Sequence, residues 1–310
     1  MKLELKVSES GRVDLILLDE LKRQGVSCSR AKLKDYFQAG EICLGSKKLA
    51  PSLLLSPGHY AIEIPIEKIR ELQARARASL QGSFVPVVFE NEEVLVLHKP
   101  SGVPSVPQSA EETETAVGSA LAQSPSLPEN LTKPLEPGIL HRLDTLTSGL
   151  LIFAKTSESF LRLKDAWKKN EVRKTYRALV QSEGPILLPS QIDLNLAHDA
   201  STKKRMIALK SPTARNFRGK PLPALTLIQG SRRIPDTKTV DLTLEIKTGV
   251  MHQIRCHLAA LHYPIIGDPI YQGVPSPRLW LHAWQIELPL SQGKRLKLEA
   301  ALPDGWGQAR

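Results

Sequence analysis

The sequence predicts an α+β protein: a large, mainly antiparallel sheet flanked by helices, with a small α/β unit ahead of it. Three observations lead there. Residues 1–63 carry their own succession of helix and strand signals. The stretch 64–83 (IPIEKIRELQARARASLQGS) is mostly polar and helix-favouring, lacks an apolar face for a core, and reads as a linker. From residue 84 to 310, strand-like runs recur with only two helical patterns among them.

The opening residues MKLELKVSESGRVD alternate charge with apolar side chains and lack the apolar stretch of a secretory leader. Val13-Asp14-Leu15-Ile16-Leu17-Leu18 begins an amphipathic helix after Gly11. A second helix follows Ser29, an N-cap residue type, and stops at Gly40. Glu41–Leu44 and Tyr60–Ile64 read as short strands, broken by turns at Gly45 and Pro57-Gly58. Past the linker, Val85–Phe89 and Val94–His98 flank the turn Glu90-Asn91-Glu92-Glu93 and predict a hairpin. Residues 104–137 are rich in Pro, Ser, Glu and Thr and read as a surface excursion. Further strands are expected at Leu150–Ala154, Tyr176–Val180, Val240–Ile246, Leu279–Leu288 and Lys294–Ala300, with helices at about 157–170 and 251–262. There is no internal repeat.

Lys and Arg outnumber Asp and Glu by 42 to 32, a net charge of +10 that suits a polyanionic partner, because each phosphate contact releases condensed counterions. Cys28, Cys43 and Cys256 are odd in number and widely spaced, which excludes a disulfide framework or a zinc ribbon and points to a reducing compartment. His141, His252, His257 and His262 show no HExxH or Cys/His spacing, so no metal is expected. No stretch approaches the ~20 apolar residues of a membrane span. The expectation is a soluble, cytoplasmic protein with no membrane partner.

The segment most informative about chemistry is Gly138-Ile139-Leu140-His141-Arg142-Leu143-Asp144-Thr145-Leu146-Thr147-Ser148-Gly149-Leu150-Leu151. Polar groups crowd a loop that leads into an apolar strand, the kind of place where reactive side chains sit. A Ser148–His141–Asp144 triad is one chemistry, but Ser148 lacks the GxSxG elbow and the three lie close together in sequence. A metal site is a second. A lone carboxylate acting as nucleophile or base, flanked by Arg142, is the third. Taken singly, the same residues have blander readings. Asp144 would cap a turn and Tyr176 would be a half-buried strand residue. Arg255 falls about 100° round from the face shared by Ile254, Leu258 and Leu261, where an arginine is ordinarily solvated.

In joint order these motifs resemble the RluA-type pseudouridine synthases. His141-Arg142-Leu143-Asp144 resembles the segment whose Asp is the family's essential catalytic residue. His98-Lys99-Pro100-Ser101-Gly102 resembles its Lys-Pro-x-Gly turn. Lys174-Thr175-Tyr176-Arg177-Ala178-Leu179-Val180 resembles the motif whose Tyr packs on the target base. Gly249-Val250-Met251-His252-Gln253-Ile254-Arg255 resembles the motif whose Arg pairs with the Asp. Gly267-Asp268-Pro269-Ile270-Tyr271 and Leu281-His282-Ala283 match two further landmarks. Two positions depart from the family pattern: Thr145-Leu146 replaces a basic–acidic pair, and Val250-Met251 replaces Arg-Thr, so charge is lost beside the expected site.

The resemblance implies the pseudouridine synthase fold over 84–310 and cofactor-free isomerisation of uridine in structured RNA, with Asp144, Tyr176 and Arg255 as catalytic residues. It implies Asp144 within about 4 Å of Arg255, the ion-pair criterion, and Tyr176 lining the same cleft with one ring face free. Residues 1–63 resemble the alpha-L RNA-binding domain of ribosomal protein S-four type, with Arg12, Arg30, Lys32, Lys34, Lys47 and Lys48 tracking phosphates. Arg142 and the acid-free run from Lys203 to Lys220, with Lys203, Lys204 and Arg205, add RNA contacts on what reads as a loop. The appended domain favours ribosomal RNA, of the large subunit, over transfer RNA, and a monomer is expected.

Overall fold

The structure is a computed structural model that describes residues 2–24, 26, 28, 30–69, 85–107, 112, 114–128, 135–202, 204–211 and 215–308, with backbone alone at 31 and 32. Most of the expected linker, 70–83, and the expected N-cap Ser29 therefore lie outside the described residues. Contacts divide the chain into two units, 1–84 with 106–139, and 85–105 with 140–310.

In the first unit the alternation of the opening residues proves to be a strand, β1 (Lys2–Val7), with Leu3, Leu5 and Val7 turned inward. After β2 (Gly11–Arg12) comes α1 (Val13–Arg23), whose Val13, Leu17 and Leu21 recur every four residues and are wholly buried. There follow α2 (Arg30–Gln38), β3 (Cys43–Leu44), β4 (Lys47–Lys48), β5 (Leu54–Leu55) and β6 (Gly58–Glu63). The strands pair in the order β1-β6-β3-β4, and β2 pairs β5. Both helices pack into the core this creates, Leu17 and Leu21 of α1 and Leu33 and Phe37 of α2 sharing one cluster with Ile42 and Ile62. The excursion at 104–137 contains a helix that its composition hid, α3 (Ala116–Gln123), capped by the Thr115 side chain accepting from Gly118 N at 3.0 Å. Its residues Ala116–Leu121 are buried, so this stretch is not merely surface.

The second unit is built on one nine-stranded sheet. Its strands in chain order are β7 (Val87–Glu90), β8 (Val94–Lys99), β9 (Ser148–Ala154), β10 (Arg173–Gln181), β11 (Gln191–Asp193), β15 (Leu225–Arg233), β16 (Thr239–Ile246), β17 (Leu281–Pro289) and β18 (Arg295–Glu299). They pair as β11-β15-β16-β10-β17-β9-β8-β7, with β18 also on β17. Every pairing is antiparallel except β17 with β9. Two helices join it: α4 (Ser157–Lys168), started by a Thr156–Ser159 capping box, and α5 (Gln253–Ala260).

Between β11 and β15 lies a second, three-stranded sheet of β12 (Leu196–Asp199), β13 (Met206–Ala208) and β14 (Phe217–Leu222). The run from Lys203 to Lys220 is thus partly strand, not the loop its charge pattern predicted. β14 is half exposed and carries no apolar face for a periodicity to reveal.

Candidate active site

The loop that carries Asp144 is held by the turn that follows β8. β8 and β9 run antiparallel to their shared end, where Lys99 lies opposite Gly149. Beyond that end the two turns are laced together. Ser105 Oγ donates to Leu143 O at 2.7 Å and accepts from Leu143 N at 2.9 Å. Ser101 Oγ donates to Leu146 O at 2.7 Å, and Gly102 N donates to Thr145 O at 2.9 Å. Lys99, wholly buried, spends its ammonium on three carbonyls: Pro100 at 2.9 Å, Val103 at 2.6 Å and Thr145 at 2.9 Å. Burial pushes Lys99 down to about 7, the negative charge of Asp144 opposes that fall, and Arg278 adds to it. Both residues flanking Asp144 are therefore anchored by backbone bonds, which fixes where its carboxylate emerges.

Gly149 makes the neighbouring seam possible. Its φ is +119°, and a Cβ there would sit 2.2 Å from Ala283 O, so only glycine lets β9 lie against β17.

The second component is an arginine held from behind. Arg255, on α5, is 2% exposed. Its Nε donates to Asp268 Oδ2 at 2.7 Å and its Nη2 to Asp268 Oδ1 at 2.9 Å, a bidentate pair. Asp268 Oδ1 also accepts from Ile270 N at 2.9 Å and Tyr271 N at 3.1 Å. Burial alone would raise the Asp268 pKa, but Arg255 and these amides more than reverse it and hold the carboxyl below its ordinary value. Thus oriented, Arg255 offers Nη1 to Asp144 Oδ2 at 3.2 Å. The Asp144 side chain is 26% exposed, whereas that of Asp268 is fully enclosed. One guanidinium thus serves a buried carboxylate and an accessible one.

Tyr176 lies on β10, where the register against β17 shifts between Thr175 and Tyr176. Such an irregularity re-aims a side chain. Its phenol is pushed above its ordinary value by burial, and the charge of Asp144 pushes the same way. At 7% exposure the ring is more enclosed than the free face expected from the sequence. His252 and Tyr271, neither of them picked out as site residues from sequence, complete the surroundings. His252 Nε2 is 3.8 Å from Asp144 Oδ2, and its Nδ1 is 3.3 Å from the Tyr271 hydroxyl.

The Ser148–His141–Asp144 triad is not formed. Ser148 Oγ is hydrogen-bonded to His282 Nδ1 at 2.8 Å and accepts from Arg278 Nη2 at 2.6 Å, while His141 stacks on Trp167 with ring centroids 5.1 Å apart. Among the described residues no group of three or more His, Cys, Asp or Glu side chains is placed to hold a metal. Of the expected RNA contacts, Arg205 comes near the site, its guanidinium 5.7 Å from the Tyr271 ring centroid. Arg142 and Lys204 are exposed in the same unit, and Lys203 lies outside the described residues. Arg12 and Arg30 are not free cations: Asp14, itself buried, takes Arg12 Nε at 3.0 Å and Arg30 Nη2 at 2.9 Å. Lys34, Lys47 and Lys48 are exposed on that unit, and the side chain of Lys32 lies outside the described residues. Val250 packs against the apolar cluster of Leu196, Met206, Cys256 and Tyr271, and Met251 is 37% exposed.

Asp268, His252 and Lys99 all stand inside the motifs quoted above, and that was their only signal. An Asp before Pro reads as a turn, and a Lys at a strand end reads as solvated.

Comparison with known proteins adds three findings. The family model described as RNA pseudouridylate synthase matches residues 93–260. Among curated proteins, the ribosomal large subunit pseudouridine synthase D of Neisseria meningitidis is 28% identical over 95% of this chain and 76% of its own length. Its namesake in Nitrosomonas europaea is 31% identical over 77% of this chain and 69% of its own. Among solved structures, human RNA pseudouridylate synthase domain containing 1 shares the fold with a TM-score of 0.55 at 22% identity, over 72% of this chain and 84% of that one. Human RNA pseudouridylate synthase domain containing 4 aligns with a TM-score of 0.51 at 22% identity, over 76% of this chain and 94% of that one.

Proposed function

The chain belongs to the RNA pseudouridylate synthase family, and from that premise we propose that it isomerises uridines of large-subunit ribosomal RNA through Asp144, assisted by Arg255 and Tyr176. The observation that carries the assignment of residues is the chain of charge from buried Asp268 through Arg255 to the accessible Asp144 carboxylate. Isomerisation breaks the bond from N1 to the ribose, turns the uracil and rejoins it through C5. No redox change or group transfer is involved. An ionised carboxylate can attack the anomeric carbon, or remove a sugar proton so that the base departs by elimination. Either role requires charge in a partly desolvated place, where Arg255 Nη1 is placed to meet it at 3.2 Å. Among the described residues, the hydrogen bond to the Asp144 side chain falls on Oδ2, which leaves Oδ1 for the sugar.

The target nucleotide must leave its stack to reach Asp144, at a cost of roughly a few kcal/mol. Contact with the Tyr176 ring returns about 1–3 kcal/mol of that. The exposed lysines and the net charge of +10 supply the phosphate grip. Residues 1–63, read as an RNA-binding domain, contribute affinity and site choice rather than chemistry. Large-subunit ribosomal RNA is favoured over transfer RNA because the curated relatives carry that substrate in their names.

Tritium release from RNA labelled at uridine C5 tests the assignment. Asp144→Asn, which removes a charge and little volume, should bind RNA as the parent does and release no tritium. Turnover by that variant, or release from transfer RNA but not from large-subunit ribosomal RNA, would refute the residue or the substrate respectively.

A further inference from the structure

Conversion to the C-glycoside leaves one proton to be moved. Once C5 has bonded to the ribose, that carbon is tetrahedral and still carries its hydrogen. The proton must leave, its bonding pair restoring the C5–C6 double bond, and N1 must gain a proton, so the sum is an isomerisation. Something in the site must accept from carbon. The phenol of Tyr176 is poorly placed in energy to do so, because burial and Asp144 both disfavour its ionised form.

The hydrogen bonds around Tyr271 single out another acceptor. Its hydroxyl accepts from Met206 N at 3.0 Å and gives its only hydrogen to Met206 O at 3.1 Å. His252 Nδ1 lies 3.3 Å from the same oxygen, whose second lone pair can accept from it. In the tautomer that carries its hydrogen on Nδ1, Nε2 offers a lone pair, 3.8 Å from Asp144 Oδ2. The backbone also serves this placement. His252 stands immediately before α5 in the left-handed region, φ 54° and ψ 20°, a conformation that a residue other than glycine holds only where its surroundings fix it.

We propose that His252 is a further catalytic residue, the base whose Nε2 removes the C5 proton and passes it to N1 or to solvent. The proposal deepens the reading of Asp144 as the catalytic carboxylate and rests on it. The charged groups facing the ring are Asp144, Arg255 and Asp268. Burial is the foremost influence on the imidazole and lowers its pKa, Asp144 and Asp268 oppose that, and Arg255 reinforces it. The ring is thus kept neutral, as a base must be before it acts.

The test is single-turnover conversion of RNA bearing hydrogen or deuterium at uridine C5, with wild type, His252→Asn and Asp144→Asn. Asparagine tolerates the left-handed conformation and has no basic nitrogen. His252→Asn should bind RNA normally, lose about 10²–10⁴-fold in rate, the range of general acid–base catalysis, and show a primary isotope effect larger than that of wild type. The wild-type rate should fall with decreasing pH as the ring becomes protonated, and His252→Asn should lack that limb. An unchanged rate, or a lowered rate with no increase in isotope effect, overturns the assignment of His252. Turnover by Asp144→Asn overturns the carboxylate reading on which it rests, so the two failures are told apart.

Discussion

Replacing Asp268 by Asn tests the support behind the site rather than the site itself. Asp268 is fully enclosed, and its carboxylate receives two hydrogen bonds from Arg255 and two from backbone amides. Asparagine keeps one acceptor oxygen and puts an NH2 group where an acceptor is needed, so a donor faces a donor. It also removes the charge that balances a buried guanidinium. Breaking one side of a buried ion pair costs about 3–5 kcal/mol. At roughly 2–4 °C of melting temperature per kcal/mol for a unit of about 200 residues, the expected fall is about 6–20 °C. Thermal unfolding followed by circular dichroism at neutral pH measures it. The same preparation assayed in single turnover should be slower, because Arg255 loses the partner that aims Nη1 at Asp144, and misplacement by about 1 Å costs on the order of 10²-fold. The pH dependence has a definite sign. Asp268 is held below its ordinary value, so its contribution is complete above about pH 4, the unfolded carboxylate value, and is lost as pH falls through the folded one. The variant should lack that acid-dependent loss. A melting temperature lowered by less than about 2–4 °C, the equivalent of 1 kcal/mol, would refute the claim that Asp268 holds Arg255 in place.

Two further substitutions probe the scaffold. Lys99→Met keeps length and strips the donor from the carbonyls of Pro100, Val103 and Thr145. At about 1–3 kcal/mol for each unsatisfied group, with Thr145 O retaining Gly102 N, both melting temperature and single-turnover rate should fall, and an unaltered melting curve would contradict the role given to the ammonium. Gly149→Ala should abolish soluble folded protein, since the new Cβ meets Ala283 O at 2.2 Å and Ala283 N at 2.6 Å, while Gly230→Ala, with nothing within 4 Å, should be tolerated. A folded Gly149→Ala protein with a native circular dichroism spectrum would show that the β9–β17 seam can open.

The parts of this fold that were legible in sequence are those with an apolar period of their own. β9, buried at every position, appears as the run Leu150–Ala154, and α4 and α5 lie within their predicted spans. What stayed hidden lacks such a period. β14 is exposed or half-exposed along its length, and its sequence FRGKPL offers no alternation to detect. α3 has only eight residues, six of them buried in a row, so it shows no amphipathic period, and it sits among prolines and serines that mask it. The parallel contact of β9 with β17 joins Ser148 to His282 across 134 positions, and no local pattern encodes a partner at that distance. The site divides in the same way. Motif order brought Asp144, Tyr176 and Arg255 into one hypothesis. The role of Asp268 follows from a pairing that exists only after α5 and the turn at 267–271 have packed.

Arg255 shows why local reading misjudges such a residue. On a helix, an arginine off the apolar face is ordinarily solvated, because desolvating an unpaired guanidinium costs far more than packing returns. Here the cost is met by a bidentate carboxylate that burial alone would have discouraged from ionising, so each charge makes the other tenable. Two acids around one base leave a net negative charge. It resides on the more exposed partner, where water still helps to stabilise it and a substrate can reach it. Substitution at the buried end should therefore act first on stability, and substitution at the exposed end on chemistry. That difference separates Asp268→Asn from Asp144→Asn, although the two carboxylates share a single guanidinium.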